Sequence, residues 1–121
     1  MIRVLSHRSF RIDMSKRVKQ NVDALRFLAK CNPKQRKAII QYADNGLVDS
    51  LSECALNLLK GHVRLTPKQK KRLNVHKNRL RALTDKKVAR KKKKTILTQH
   101  GGFVGALLAP VLKTLVSLLL K

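Results

Sequence analysis

Acidic side chains are scarce in this sequence, which has six Asp and Glu residues against 29 Lys and Arg residues and a net charge of +23. Aromatic residues are also few, with no Trp and four others: Phe10, Phe27, Tyr42 and Phe103. Proteins that bind single-stranded nucleic acid without sequence preference usually stack bases on aromatic side chains, so this composition argues against such a platform. The excess of positive charge favours a polyanionic partner that is contacted through its phosphates.

Cysteine and histidine are too few to indicate a disulfide framework or a metal site. In a chain with no recognisable secretory signal, we expect Cys31 and Cys54 to pack as small apolar residues. No two histidines have helical or finger-type ligand spacing, and the alternative, a set made of Cys54, His62 and His76, is the weaker interpretation. We expect no metal and no other cofactor. Because no nucleophile with its base and no Gly-rich phosphate loop is present, we also expect that the chain is not an enzyme.

No segment alternates apolar and polar residues as a strand does, whereas helical spacing recurs through residues 15–84. Helix signals stand at Asn32 before Pro33, at the capping boxes Ser50 to Glu53 and Thr66 to Gln69, and at Gly61, which we expect to close a helix. The predicted helices cover residues 15–31, 32–43, 50–61 and 66–84. The fold class is therefore all-α, a small bundle of three or four short helices that includes a basic amphipathic helix.

The 121 residues allow one small core, and composition divides the chain into four zones. We expect a flexible basic arm over residues 1–14, a helical domain over 15–84, a Lys-rich linker over 85–102 that ends in Gly-Gly, and an apolar C-terminal helix over 103–121. Residues 1–13 also have the Arg-rich, acid-poor composition of a mitochondrial targeting segment, which is the alternative to the arm.

The positive charge is concentrated between residues 61 and 102, where 15 Lys and Arg residues face one acid, Asp85. A solvated helix surface normally mixes charges of both signs, so unpaired cations here indicate a phosphate-binding surface. The predicted nucleic-acid contacts are Lys68, Lys70, Lys71, Arg72, Lys77, Arg79, Arg81, Lys86, Lys87, Arg90, Lys91, Lys92, Lys93 and Lys94. We expect the Lys91 to Lys94 run to contact the ligand without folding.

The C-terminal zone is apolar around almost its whole circumference and must be buried somewhere. The alternatives are the bundle itself, another copy of the chain, a groove of another protein such as a capsid, or a membrane interface. The predicted membrane or partner contacts are Phe103, Leu107, Leu108, Val111, Leu112, Leu115 and Leu119. Lys113 lies near the centre of the segment, so we expect that it does not span a bilayer.

Two stretches resemble known proteins. Residues 91–112 resemble the precursors of adenovirus core protein X, also called mu. In this stretch K-K-K-K is followed by six residues and then by G-G-F-V-G-A-L-L-A-P-V-L. Three further segments are similar to small basic proteins encoded beside Maverick/Polinton-type elements, which share adenovirus-like virion genes. These segments are C-A-L-N-L-L-K-G, L-T-P-K-Q-K-K-R-L and R-L-R-A-L-T-D-K-K. The first resemblance implies a DNA-condensing basic segment, a protease site at Gly101 and Gly102, and an apolar tail.

We therefore expect a sequence-independent nucleic-acid-condensing protein, a minor virion core protein of an adenovirus-like mobile element, located in the nucleus or the virion. Its expected partners are double-stranded DNA and, through the C-terminal helix, the capsid or a second copy. One alternative is a membrane-active or membrane-anchored protein whose lysines contact anionic headgroups. A second is an RNA- or ribosome-binding protein, because phosphate contacts to RNA would use the same residues.

Overall fold

The computed structural model describes residues 16–99 and 101–119, and within them the chain forms eight α-helices and no strand. The helices are α1 Lys16–Gln20, α2 Val22–Lys30, α3 Pro33–Gln41, α4 Asn45–Leu59, α5 Pro67–Val75, α6 Lys77–Thr84, α7 Arg90–Gln99 and α8 Gly101–Leu119. The predicted all-α fold is confirmed. The predicted basic arm and its alternative, a targeting segment, lie outside the described residues.

Two predicted helix starts are confirmed by reciprocal hydrogen bonds. Asn32 Oδ1 accepts from the Gln35 N–H at 2.8 Å, and the Asn32 N–H donates to Gln35 Oε1 at 3.3 Å. Thr66 and Gln69 form the same pair of bonds at 3.1 and 3.0 Å. A proline occupies the first turn of each helix, where its missing N–H removes no helical bond. The predicted left-handed residue is confirmed as well, since Gly61 has φ +76° after α4.

One predicted helix start is wrong. α4 begins at Asn45, with the Asp44 carboxylate accepting from the Leu47 N–H at 2.9 Å, and not at Ser50. Ser50 is inside the helix, where its hydroxyl donates to the Gly46 carbonyl at 2.8 Å. The earlier start places Leu47 and Val48 in the core, and burying two such side chains stabilises the longer helix by roughly 3–6 kcal/mol.

Two segments predicted as single helices are each divided. The first is interrupted at Asn21 and the last at His76. At both points an N–H bonds to the carbonyl three residues earlier, Asn21 to Val18 at 3.1 Å and His76 to Leu73 at 2.9 Å. Such tighter bonds turn the axis locally, so each pair of short helices can follow the surface of the core.

α4 lies at the centre of the core. Leu51, Cys54, Ala55 and Leu58 are buried on it, and α1, α2, α6, α7 and α8 all pack against it. The predicted apolar seam of α5 and α6 faces the same core, because Leu73, Leu80 and Leu83 are buried. The cations between these leucines are thereby directed outward.

The C-terminal helix is part of this core and not a separate zone. α8 packs against α2, α3, α4 and α5. Five of the residues predicted to contact a membrane or partner are buried inside the chain instead: Phe103, Leu107, Leu108, Val111 and Leu112. The bundle, one of the alternatives for this apolar zone, buries these five because it supplies the apolar surface they need, and an external contact through them stays a prediction. The side chains of Leu115 and Leu119 lie outside the described residues.

The Lys-rich segment is also more ordered than predicted. Residues 90–99 form α7, which packs against α3 and buries Lys93, Ile96 and Leu97. The prediction that the Lys91 to Lys94 run does not fold is wrong, because two buried apolar side chains anchor the helix. Gly101 and Gly102 belong to the first turn of α8, next to the 100° bend that separates α7 from α8.

A buried arginine joins three helices near the start of α8. The Arg36 guanidinium donates to the carbonyls of Leu28 and Cys31, each at 2.9 Å, at the carboxyl end of α2. Gly105 of α8 faces the same guanidinium. A cation at this end of α2 also interacts favourably with the helix dipole. Arg36 is therefore a structural residue, and it is not one of the cations available to a ligand.

Candidate nucleic-acid interface

Most of the predicted nucleic-acid contacts are exposed, and ten of them have no carboxylate partner among the described residues. These ten are Lys68, Lys70, Lys71, Arg72, Lys77, Arg81, Lys86, Lys87, Lys91 and Lys92. They belong to α5, α6, the connection between α6 and α7, and the first turn of α7. The structure thus keeps these charges in water, where a phosphate can reach them.

The other four predicted contacts are hydrogen-bonded or buried within the fold. Arg79 is half-buried, with Nη1 3.0 Å from His76 Nδ1. Arg90 donates to both oxygens of Asp49, from Nε at 3.0 Å and from Nη2 at 2.9 Å. Lys94 Nζ donates to the Gln41 carbonyl at 3.3 Å, and Lys93 is buried. Sequence alone could not separate these four from the ten, because only packing decides which side of a short helix faces inward.

The Arg90 and Asp49 pair joins α7 to α4 over 41 positions in sequence. Hydrogen bonds to the Asp49 carboxylate, and secondarily its charge, raise the pKa of Arg90 above its ordinary value. A two-pronged contact fixes the orientation of both side chains. The pair therefore links the start of α7 to α4.

The acid-free part of the protein is larger than the predicted set. α3, α5, α6 and α7 contain no acidic residue. Lys34 and Lys37 of α3 are exposed, and α3 packs directly against α7. Sequence reasoning missed these two residues, although the absence of acid from the α3 segment was a readable signal. They extend the positive surface from α7 onto its neighbour.

An open groove lies beside α5 and α6. Lys70, Lys71 and Lys77 are among the residues that line it, and the groove has a volume of about 600 Å³. Its apolar lining residues are Leu58, Leu59, Leu65, Pro67, Leu73 and Leu80. None of the residues that line it is acidic, so the local field is positive.

Exposed aromatic rings lie outside these basic helices. Phe27 on α2 is 60% exposed and Tyr42 after α3 is 89% exposed. Phe103 is buried in α8, with its ring centroid 5.0 Å from that of His76. The described part of α5, α6 and α7 therefore offers lysine and arginine to a ligand and no aromatic surface, which suits backbone contacts better than base stacking.

The three side chains of the alternative metal set, Cys54, His62 and His76, lie in different parts of the fold. His62 Nδ1 lies 3.1 Å from Asn57 Oδ1, while His76 contacts Phe103 and Arg79. Burial raises the pKa of the Cys54 thiol to about 12, with a smaller contribution from the Glu53 charge. Among the described residues, no group of three or more His, Cys, Asp or Glu side chains is placed to hold a metal ion.

The predicted protease site lies in a helix. Gly102 is exposed in the first turn of α8, and Phe103 directly after it is fully buried. A protease binds its substrate as an extended strand, so cleavage after Gly102 would require this turn to unfold and Phe103 to leave the core.

In the described residues no single helix is both long and apolar enough to cross a bilayer. Taken as a pair, α7 and residues 102–114 are long and apolar enough, although the chain bends by 100° at the break between them. No protein-family model, curated protein or solved structure matches this chain.

Proposed function

We propose that this protein binds nucleic acid through the phosphate backbone, with duplex DNA as its principal ligand and without reading sequence. The observation that carries the proposal is the set of ten exposed, unpaired cations between Lys68 and Lys92, a stretch in which Asp85 is the single acid. Their mutual repulsion destabilises the free protein, and a phosphate polymer relieves it while releasing its own counterions.

We expect the protein to bind through electrostatic contacts with the phosphate backbone. Eight of the ten exposed cations are lysines, which act as point charges and not as readers of a base edge. Of the arginines, Arg90 is held by Asp49, so Arg72 and Arg81 are the exposed ones that carry a fork-shaped donor group. We therefore expect affinity to depend on the number of phosphates and on salt, and to be similar for unrelated sequences.

A comparison of duplex DNA with duplex RNA of the same length tests the choice of ligand. The proposal expects DNA to bind at least as tightly as RNA at equal salt. Clearly tighter binding of the RNA duplex would favour the second alternative, an RNA- or ribosome-binding protein, because the A-form groove presents its phosphates with a different spacing.

We further propose that the biological role is condensation of the genome of an adenovirus-like mobile element, in the nucleus or the virion. This narrower role rests on the resemblance of residues 91–112 to core protein X precursors and on the density of unpaired charge. Light scattering of DNA mixed with the protein tests it: compaction should set in when protein and phosphate charges are near balance. Binding that saturates without compaction would contradict a condensing role.

The membrane alternative requires a rearrangement of this fold. Insertion would have to extract Phe103, Leu108 and Val111 from the core, so the packing of these side chains within the bundle would be lost. Docking of α8 on a capsid or on a second copy through these residues would require the same extraction. The exposed lysines could still adsorb to anionic headgroups, so the proposal expects surface binding to vesicles without insertion.

A further inference from the structure

A second cavity, distinct from the groove beside α5 and α6, lies where α4, the end of α6 and the start of α7 meet. Its volume is about 450 Å³. One wall is apolar and includes Leu56, Leu83 and Val88. The polar residues that line it are Asp49, Ser52, Glu53, Thr84, Lys86, Arg90 and Lys93.

Lys93 is the unusual residue of this cavity. Its side chain is 8% exposed, yet no hydrogen bond or ion pair engages its ammonium group anywhere in residues 16–99 and 101–119. A buried charge without a partner is unfavourable, and proteins normally pair it or place it beside a bound ion. Lysine stems can pack on apolar surface while the ammonium reaches a polar space. Lys93 is one of the residues that line the cavity.

The carboxylates of the cavity do not cancel its positive charge. Both Asp49 oxygens accept from Arg90, so the Asp49 charge is directed at the arginine. Glu53 is then the one other acid among the lining residues, against Lys86 and Lys93. Lys86 is exposed at the edge of the cavity, where its flexible stem can turn toward a ligand.

The cavity also lies at the amino end of α7. Ala89 and Arg90, where the helix begins, both line it, and the first N–H groups of a helix have no partner within that helix. A helix amino terminus favours an anion through these N–H groups and through the helix dipole. The unpaired Lys93 is an independent feature that favours the same kind of ligand at the same place.

We propose that this cavity binds the phosphate group of a phosphomonoester, with Lys93 and Lys86 as the cationic contacts and the amino end of α7 as the source of N–H donors. A phosphomonoester carries up to two negative charges at neutral pH and so suits two lysines better than a backbone diester does. The remaining volume and the Leu56 and Leu83 wall suit the sugar and base of a nucleotide. The site shares Lys86 with the ten surface cations, whereas Lys93, Leu56 and Leu83 lie outside that set.

Thermal unfolding in inorganic phosphate tests the site, with the ionic strength held constant by sodium chloride. A ligand that binds the folded state raises the melting temperature as its concentration increases. We expect this rise for the wild type and for Lys113→Met, a control at an exposed lysine of α8 that lies outside the ten surface cations. We expect it to disappear in Lys93→Met, which removes the charge and retains an unbranched chain. Equal responses of the two variants would overturn the proposal.

A second variant and a second ligand complete the test. Lys86→Gln alters an exposed residue, so its fold should be intact, and we expect it to weaken phosphate binding at least several-fold. Adenosine monophosphate should bind more tightly than inorganic phosphate, whereas adenosine should not bind detectably. Adenosine binding equal to that of the monophosphate would exclude phosphate recognition.

Oligonucleotides distinguish the two sources of the phosphomonoester. If the natural ligand is a strand end, a 5′-phosphorylated strand should outcompete its 5′-hydroxyl counterpart for the wild type and not for Lys93→Met. If it is a free nucleotide, the monophosphate should bind while the two strands compete equally. If neither the phosphorylated strand nor the monophosphate bound preferentially, the proposed site would be overturned. The salt dependence of duplex binding would be unchanged by that result, so it would not be confused with failure of the nucleic-acid proposal.

Discussion

Leu108→Ala should strongly destabilise this protein, because Leu108 is fully buried at the contact between α8 and the bundle. Replacing a buried leucine by alanine costs about 2–5 kcal/mol, from lost transfer energy and from the cavity that remains. The total stability of a domain of this size is about 5–15 kcal/mol, and unpaired positive charge lowers it. A loss of about 3 kcal/mol would reduce the melting temperature by roughly 10 °C.

Urea unfolding followed by far-ultraviolet circular dichroism measures this effect. The matched control is Lys113→Ala, an exposed position on the same helix, which should change stability by no more than about 0.5 kcal/mol. A chain that ends after Gly102 should lose cooperative unfolding altogether, because it lacks every buried residue of α8. If Leu108→Ala unfolded at the same urea concentration as the control, α8 would not be part of the core, and a separate C-terminal helix would again be the better description.

Three further predictions concern the basic surface, the buried thiol and the apolar helix. Replacing Lys91 and Lys92 by glutamine should lower the salt slope of DNA binding by about 1.8 without changing the helix content. The same replacements at Lys19 and Lys30 should change the slope by less than half as much. Equal changes in slope for the two pairs would refute a localised interface. The Cys54 thiol, whose pKa is about 12, should resist alkylation at mildly alkaline pH and react when urea unfolds the chain, and fast labelling of the folded protein would contradict its burial. Lys113→Leu should move the protein toward membrane insertion while the wild type adsorbs without spanning, and protease protection of the wild-type C-terminus across a bilayer would overturn this account.

The Cys54 pKa also predicts a pH dependence of stability. The folded state favours the neutral thiol, so its contribution to stability is fully present below the ordinary thiol pKa of 9.0. It should be lost progressively as the pH rises from 9.0 toward about 12, because the unfolded chain ionises first. Cys54→Ala should remove this component of the alkaline decline in stability, and an unchanged decline would assign it to other groups.

Local signals in the sequence predicted local structure well where one residue type decides the geometry. Asn32 and Thr66 each begin a helix because a side-chain oxygen and a following proline leave few alternatives, and Gly61 adopts a positive φ at which other residues are strained. The start of α4 was missed because Asp44 and Ser50 are both good caps. Burial of Leu47 and Val48, a tertiary effect, decides between them.

The position of α8 and the division of the cations could not be predicted from sequence. An apolar segment must be buried, but its own residues do not say whether the bundle, a partner or a membrane buries it. Likewise Lys92 and Lys93 are adjacent and chemically identical, and only the packing of Ile96 and Leu97 turns one outward and the other inward. The basic composition of the exposed surface could therefore be predicted from the sequence, whereas the cavity that Lys93 lines could be located only from the fold.

The central claim is that exposed lysines bind phosphates without reading sequence, and a salt titration of DNA affinity tests it most directly. The dissociation constants of two duplexes with equal length and unrelated sequence should be measured between about 50 and 200 mM salt. If eight of the ten exposed cations contact phosphates, both duplexes should show a log–log slope near −7 and lose about 10⁴-fold in affinity over this range. A slope near zero, or a clear preference for one of the two sequences, would contradict the claim.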